Sequence, residues 1–97
     1  MRIIALATLK HFYEAHADAE EPLKAWVKYA READWNSPSD VKAMFAKASI
    51  LQGNRVVFDI AGNKYRLIVK INYKYRVIYI RFIDSHAEYD KIDALTI

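Results

Sequence analysis

The spacing of apolar residues changes once along the chain, near residue 45. Before that point they recur at intervals of three and four positions, and after it they alternate with polar residues. The first spacing gathers apolar side chains on one face of an α-helix, and the second gathers them on one face of a β-strand. The pattern predicts an α+β fold in which N-terminal helices pack on one face of a small antiparallel β-sheet.

Three helices are expected in the first half of the chain. The first covers residues 5 to 17, and the second covers residues 22 to 33 with Pro22 in its first turn. The segment SPSD starts the third helix, because Ser37 suits the N-cap and Pro38 suits the first helical position. The apolar opening MRII fits a short strand.

Three strands are expected in the second half, at residues 55–60, 65–72 and 77–83. AGNK is a turn signal that makes the first two a hairpin, and YKYR connects the second strand to the third. The two Gly-Asn pairs are typical of turns rather than of phosphate-binding loops. The sequence therefore predicts an antiparallel meander, in one domain that comprises residues 1–97.

Alternation assigns each strand residue to one face of the sheet. The apolar face, which the helices would cover, comprises Val56, Phe58, Ile60, Tyr65, Leu67, Val69, Ile71, Ile78, Ile80 and Phe82. The opposite face carries Arg66, Lys70, Tyr79 and Arg81, together with Ile83. His86 and Tyr89 follow the last strand, and three-residue spacing on a helical turn would point both in one direction.

Charge is distributed unevenly along a chain whose net charge is +3. Residues 1 to 50 hold seven Lys/Arg and seven Asp/Glu, whereas residues 55 to 82 hold seven cationic residues and a single acid, Asp59. The tail beyond them is acidic. One cation on an outer sheet face usually serves solubility and protects strand edges. A cluster of seven instead favours a surface that binds a polyanion such as a nucleic acid.

The residue types and motifs that the chain lacks exclude several kinds of chemistry. It has no cysteine, so disulfides, thiol nucleophiles and thiolate metal sites are excluded. No metal-ligand spacing is present. The N-terminal segment offers neither a convincing cleavage site nor an apolar span. We therefore expect a cytoplasmic protein that uses no metal or cofactor and has no membrane partner.

His86 is the strongest candidate for acid–base chemistry, because an imidazole titrates near neutral pH. A lone histidine is more often a surface or capping residue, and His11 and His16 are expected to face solvent or pack on the first helix. Two guanidinium groups on the same face, those of Arg66 and Arg81, would stabilise a pentavalent phosphorane. Metal-free ribonucleases need this combination.

The aromatic residues divide into two groups. Those expected in the core by periodicity are Trp26, Phe58, Tyr65 and Phe82. Those available for stacking on bases are Tyr73, Tyr75, Tyr79 and Tyr89.

Two stretches of the sequence closely resemble the HigB family of toxins, within the RelE-like superfamily. They are FDIAGNKYRLIVKINY, with its F-x-I-x-G-N-K-Y-R-L pattern, and YIRFIDSHAEYDKID, with I-R-F-x-x-x-H-x-E-Y-D. The segment LKAWVKYAREADW supports the similarity, which covers nearly the whole chain.

The resemblance implies a RelE-like domain with endoribonuclease activity on mRNA, typically on a translating ribosome. It also implies a HigA-type antitoxin, a helix-turn-helix DNA binder, so that any contact with DNA would be indirect. In this interpretation a 2′-hydroxyl attacks the adjacent phosphorus without a metal ion. The expected catalytic residues are Arg66, Arg81, His86 and Tyr89. The expected RNA contacts are Lys64, Lys70, Lys74, Arg76 and Tyr79.

The chain departs from its relatives just before the histidine, where Asp84 and Ser85 replace a usual glycine-threonine pair. A carboxylate at this position would pair with Arg81 or favour the charged form of His86, and it would repel a phosphate.

Two alternatives to the ribonuclease stay open. One is a non-catalytic RNA- or ribosome-binding module, which needs only charge and stacking. The other is a weakened toxin that mainly binds its antitoxin, and Asp84 is the feature that favours it. The sequence also leaves open the acid and base roles of His86 and Tyr89, the cleavage preference, the dependence on ribosomes and the oligomeric state.

Overall fold

The predicted helices and strands follow each other in the predicted order, and a 3₁₀ turn, a short strand before the meander and a four-residue helix after it are additional. The computed structural model describes residues 1–97. The elements are β1 (Arg2–Ile4), α1 (Leu6–Ala15), a 3₁₀ turn (Ala17–Ala19), α2 (Glu20–Glu32), α3 (Pro38–Met44), β2 (Ser49–Leu51), β3 (Arg55–Ile60), β4 (Tyr65–Asn72), β5 (Val77–Ser85) and α4 (His86–Tyr89). The predicted α+β class is confirmed. None of the helices has both the length and the apolar character needed to cross a membrane.

The five strands form one sheet in the order β1-β5-β4-β3-β2. β3, β4 and β5 are the predicted antiparallel meander, and β2 pairs antiparallel with β3 at one edge. β1 lies at the other edge and runs parallel to β5. The sheet is therefore mixed, not purely antiparallel. β2 has only three residues, which are too few to show the alternation that identifies a strand.

The third helix begins at the predicted residue but with a different cap. Pro38 occupies the first helical position, as expected, and Ser37 lies at the N-cap. The Ser37 hydroxyl makes no capping hydrogen bond. Instead the carboxylate of Asp40 reaches back and accepts a hydrogen bond from the backbone N–H of Asn36 at 2.8 Å. The predicted side-chain cap at Ser37 is therefore wrong, and the Asp40 carboxylate binds the backbone just before the helix and not its first turn.

The helices cover one face of the sheet and enclose an aromatic cluster around Phe58. The ring of Phe58 lies 5.4 Å from that of Trp26, 6.3 Å from that of Trp35 and 5.1 Å from that of Phe45. Trp26 and Phe58 were expected in the core and are 2% exposed. This packing joins α2, the two loops that flank α3, and β3 into one hydrophobic core.

A β-bulge in β5 changes which side chains enter that core. Val69 pairs with Ile80 and Ile68 pairs with Phe82, so Arg81 is left out of the register. One extra residue reverses the alternation beyond it. Ile83 therefore belongs to the core cluster, whereas Phe82 lies on the opposite face beside Ile68. The assignments of Phe82 to the core and of Ile83 to the outer face are wrong for this reason.

The outer face of the sheet, opposite the helices, is also partly covered. Val57 and Ile68 lie on it, outside the main core cluster, yet they are 3% and 0% exposed. The guanidinium groups of Arg55 and Arg81 both donate hydrogen bonds to the backbone carbonyl of Ile97. These bonds hold the C-terminal segment against the outer face.

Candidate active site

The short helix α4 presents His86 at the end of β5, where the sheet stops. Ser85 is its N-cap, and its hydroxyl accepts a hydrogen bond from the backbone N–H of Glu88 at 3.2 Å. The backbone N–H of His86 donates to the carbonyl of Lys64 at 3.1 Å. The β3–β4 turn therefore anchors the start of α4, and the position of His86 depends on both features.

Arg66 on β4 is the most closely held cation of the site, with a side chain only 13% exposed. Its Nε lies 3.3 Å from Oδ1 of Asp59 on the neighbouring strand. Its Nη1 donates to the backbone carbonyl of Asn63 at 3.0 Å, and its Nη2 donates to the Asn63 side chain at 3.2 Å. The guanidinium carbon lies 5.9 Å from the centre of the Tyr89 ring. These contacts hold a planar donor group beside α4.

The imidazole of His86 lies close to the same tyrosine. The ring centres of His86 and Tyr89 are 6.4 Å apart. Nε2 of His86 lies 3.3 Å from Oδ1 of Asp90, and the imidazole is 47% exposed. Arg66, His86 and Tyr89 thus form one group, here called the His86 cluster. It combines an anion-binding guanidinium, an imidazole and a phenol.

Arg81 is not part of the His86 cluster. Arg66 lies opposite Asp84, whereas Arg81 lies in the bulge between the partners of Ile68 and Val69, which is a separation of roughly 7–10 Å along the strand. Arg81 instead lines a shallow cleft of about 520 Å³ together with Lys70 and Tyr79. We call these three residues the Lys70 cleft.

A row of apolar residues separates the Lys70 cleft from the His86 cluster. The paired residues Val57, Ile68 and Phe82 form this row across three strands. Both groups of polar residues still lie on one face of the sheet, as alternation predicted. The outer face therefore offers two polar regions with an apolar strip between them.

Two of the expected RNA contacts are engaged within the protein. Lys64 forms an ion pair with Asp18, although 60% of its side chain stays exposed. Arg76 pairs through Nε with Asp34 at 2.6 Å and also donates to the Asn36 side chain, so it joins the β4–β5 turn to the loop before α3. Lys74 is exposed in that turn, with Nζ 5.4 Å from the centre of the Tyr75 ring.

The aromatic and histidine residues outside these groups have distinct environments. Tyr73 packs partly buried against the core, which raises the pKa of its phenol and leaves little of the ring for stacking. Tyr75 and Tyr79 are 68% and 37% exposed. His16 stacks on Phe12 with ring centres 4.1 Å apart, and His11 is exposed on α1. The two N-terminal histidines therefore pack or face solvent, as expected.

Asp84 does not form the ion pair with Arg81 that the sequence suggested. Its Oδ1 accepts a hydrogen bond from the backbone N–H of Ser85 at 2.7 Å. Arg81 reaches the Ile97 carbonyl instead. Phe82 is the physical reason, because the bulge turns Phe82 and Asp84 onto the outer face and Phe82 lies between Arg81 and Asp84 along the strand.

Sequence reasoning missed the residues that orient the His86 cluster. Asp59 and Asn63 hold Arg66, and Asp90 lies beside His86. The pairing register of the β3–β4 hairpin would have predicted that Asp59 lies opposite Arg66. The four-residue spacing on a helical turn would have predicted that Asp90 lies beside His86. No group of three or more His, Asp and Glu side chains is placed to hold a metal ion.

The match to a protein family covers most of this architecture. The family model for HigB toxins, the RelE-like toxic component of a toxin-antitoxin system, matches residues 19–92. The mRNA interferase HigB of Escherichia coli O6:H1 is 26% identical over 94 residues, which are 95% of this chain and 91% of that protein. The family match begins in the 3₁₀ turn and includes both polar regions of the outer face. The chain therefore belongs to the HigB toxin family, the RelE-like toxic components of toxin-antitoxin systems.

Proposed function

We propose that this protein is an endoribonuclease that cleaves mRNA, and that the His86 cluster is its catalytic centre. The observation that carries the proposal is the meeting of Arg66, His86 and Tyr89 at the end of a cationic sheet face. A guanidinium, an imidazole and a phenol supply what phosphodiester cleavage needs, which is charge stabilisation and proton transfer. The name of the E. coli relative, an mRNA interferase, supports the same activity.

The proposed reaction is an attack of the 2′-hydroxyl on the adjacent phosphorus. A base removes the 2′-hydroxyl proton as the O2′–P bond forms, and an acid protonates the 5′ oxygen as the P–O5′ bond breaks. The products are a 2′,3′-cyclic phosphate and a free 5′-hydroxyl. Of His86 and Tyr89, one acts as the base and the other as the acid, and Arg66 stabilises the charge on the phosphorane. None of these bond changes and proton transfers requires a metal ion.

The Lys70 cleft would hold the RNA beside the catalytic centre. Lys70 and Arg81 offer positive charge to the backbone, and the exposed ring of Tyr79 offers a face on which a base stacks. Lys74 adds an exposed charge at the far turn. In this proposal Arg81 binds and positions the substrate and does not contact the reacting phosphate. That role follows from its distance from Arg66.

The biological setting that we propose follows from the family. The substrate is mRNA on a translating ribosome in the cytoplasm. A HigA-type antitoxin neutralises the toxin and makes the contacts with DNA. The presence of an antitoxin follows from membership of a toxin-antitoxin family, whereas the type of antitoxin and the ribosome are part of the proposal.

A weakened toxin that mainly binds its antitoxin is the second candidate. The observation that favours it is the C-terminal segment, because the Ile97 carbonyl occupies donors of Arg55 and Arg81 on the face that RNA would use. Single-turnover cleavage separates the two candidates. A weakened toxin would bind its antitoxin and show little or no cleavage.

The test of the catalytic proposal is His86→Ala, with His11→Ala as the matched control on α1. His86→Ala should reduce single-turnover cleavage of a ribosome-bound message by roughly 10²- to 10⁴-fold, the usual contribution of a positioned acid or base. Because the imidazole is 47% exposed, the variant should keep its melting temperature. His11→Ala should cleave at the wild-type rate. Equal rates for the two variants would refute a catalytic role for His86.

A further inference from the structure

A groove between α1 and α2 lies on the helical side of the molecule. It has a volume of about 680 Å³, larger than the other clefts described here. Leu9 and Leu23 are fully buried at its base, and Leu6, Tyr13 and Val27 line it with partly exposed apolar surface. Neither polar region of the outer face contributes to it. The proposed cleavage reaction makes no use of this groove.

The rim of the groove is strongly cationic. Its charged residues are Lys10, Lys24, Lys28, Arg31 and Glu32. Only Lys24 among the cations pairs with an acid within the protein, the Glu20 carboxylate at 2.6 Å. Lys10, Lys28 and Arg31 make no salt bridge. Three free cations around an apolar floor favour a partner that brings an apolar stripe flanked by carboxylates.

We propose that the α1–α2 groove is the docking site of an acidic amphipathic helix supplied by the antitoxin. The inference rests on the proposed function in one respect, since it takes the partner to be the antitoxin of a toxin-antitoxin pair. α2 has thirteen residues, a length of about 20 Å, so the groove accommodates roughly three turns of a partner helix. The partner's apolar residues cover Leu6 and Val27, and its acids face Lys10, Lys28 and Arg31.

Two other occupants fit the groove less well. A second copy of this chain, related by two-fold symmetry, would place one cationic rim against another. RNA would meet the cations but would leave the apolar floor without a complementary surface, because Tyr13 is the groove's one aromatic side chain. An acidic amphipathic helix satisfies the charge and the apolar surface together.

The test is charge reversal at the rim with a matched control. Lys28→Glu and Lys47→Glu make the same change of net charge, and both lysines are exposed and unpaired, but Lys47 lies outside the groove in the turn before β2. We expect Lys28→Glu to weaken binding of the purified cognate antitoxin by roughly tenfold or more, mostly at low salt. Lys47→Glu should bind as the wild type does. Val27→Ala, which removes part of the apolar lining, should also weaken binding.

All three variants should cleave RNA at the wild-type rate when no antitoxin is present. Equal antitoxin affinities for Lys28→Glu and Lys47→Glu would overturn the proposal. So would a loss of RNA cleavage in Lys28→Glu, or a loss of self-association measured by sedimentation, because these would assign the groove to RNA or to a second copy. If the wild type cleaves no RNA but binds its antitoxin through this groove, the proposed enzymatic function fails and the docking site stands.

Discussion

Two cations on one strand illustrate how different the roles of similar residues are. Arg66 is held by Asp59, Asn63 and Tyr89 and is largely buried, whereas Lys70 is exposed and has no acidic partner. A guanidinium so constrained presents a planar, permanently charged group in a fixed position, which a flexible ammonium group does not. Alternation along β4 places Arg66 and Lys70 on the same face and does not reveal that only Arg66 is held by neighbouring side chains.

Arg66→Ala should therefore reduce cleavage far more than Lys70→Ala. We expect a loss of roughly 10²- to 10³-fold in the rate at saturating RNA for Arg66→Ala, since charge stabilisation of the phosphorane is removed. Lys70→Ala should mainly weaken RNA binding, with a smaller dependence of affinity on salt. The measurement is single-turnover kinetics at several RNA and salt concentrations. A similar loss of maximal rate in both variants would reduce Arg66 to an ordinary backbone contact.

At the scale of secondary structure, the bulge in β5 and the cap of α4 decide where the site residues point. The bulge at Arg81 turns Ile83 into the core and Phe82 onto the outer face, where Phe82 lies between Arg81 and the His86 cluster. The cap at Ser85 then starts the helix that carries His86 and Tyr89. A four-residue helix has too few internal hydrogen bonds to form alone, so it depends on this cap.

A pair of Ser→Ala substitutions at two helix N-caps tests this dependence. Ser85→Ala removes the hydrogen bond to Glu88 N–H, which should cost about 0.5–2 kcal/mol of local stability and lower the cleavage rate by displacing His86. Ser37→Ala should change neither property, because the Ser37 hydroxyl makes no capping bond. Hydrogen exchange of the α4 amides and cleavage kinetics provide the readouts. If the α4 amides exchange at the same rate in Ser85→Ala and in the wild type, the Ser85 hydroxyl does not stabilise α4.

At the scale of the whole molecule, one polar cluster joins the helices to the sheet. Asp18, in the 3₁₀ turn, accepts a hydrogen bond from the Tyr65 hydroxyl at 2.6 Å and pairs with Lys64. The hydrogen bonds from Lys64 and Tyr65 lower the pKa of Asp18, and the Asp18 carboxylate in turn raises the pKa values of Lys64 and Tyr65. The cluster matters for the site because Lys64 also anchors the backbone of His86.

The shifts predict a loss of stability at both pH extremes. The lowered pKa of Asp18 contributes stability that is present above its unfolded value, about 4, and is lost as pH falls through the folded value. The raised pKa values of Lys64 and Tyr65 contribute stability that is present below about pH 10 and is lost as pH rises through the folded values. Asp18→Asn should flatten both limbs of a plot of melting temperature against pH.

The control for this prediction is Asp93→Asn, which removes a carboxylate in the C-terminal segment that makes no ion pair. This variant should retain the wild-type dependence of the melting temperature on pH. An acid limb of equal slope in Asp18→Asn and the wild type would show that the cluster does not govern acid stability.

The sequence by itself determined the features that depend on neighbouring residues. Apolar periodicity identified α1, α2, α3 and the three long strands, and the Gly-Asn pairs marked turns at which Gly53 and Gly62 adopt positive φ. It also placed Arg66, Lys70, Tyr79 and Arg81 on one face, because two-residue alternation follows from backbone geometry alone. Similarity to HigB toxins then identified the family.

Only the tertiary structure decided how that face is divided. The bulge in β5, the parallel pairing of β1 and the C-terminal contact of Ile97 with Arg55 and Arg81 join residues far apart in sequence. Such contacts form because a buried strand edge or cation must find a partner somewhere in the fold. The nearest partner in space is set by packing. No local pattern records that choice, so alternation could show that Arg66 and Arg81 share a face but not that an apolar row separates them.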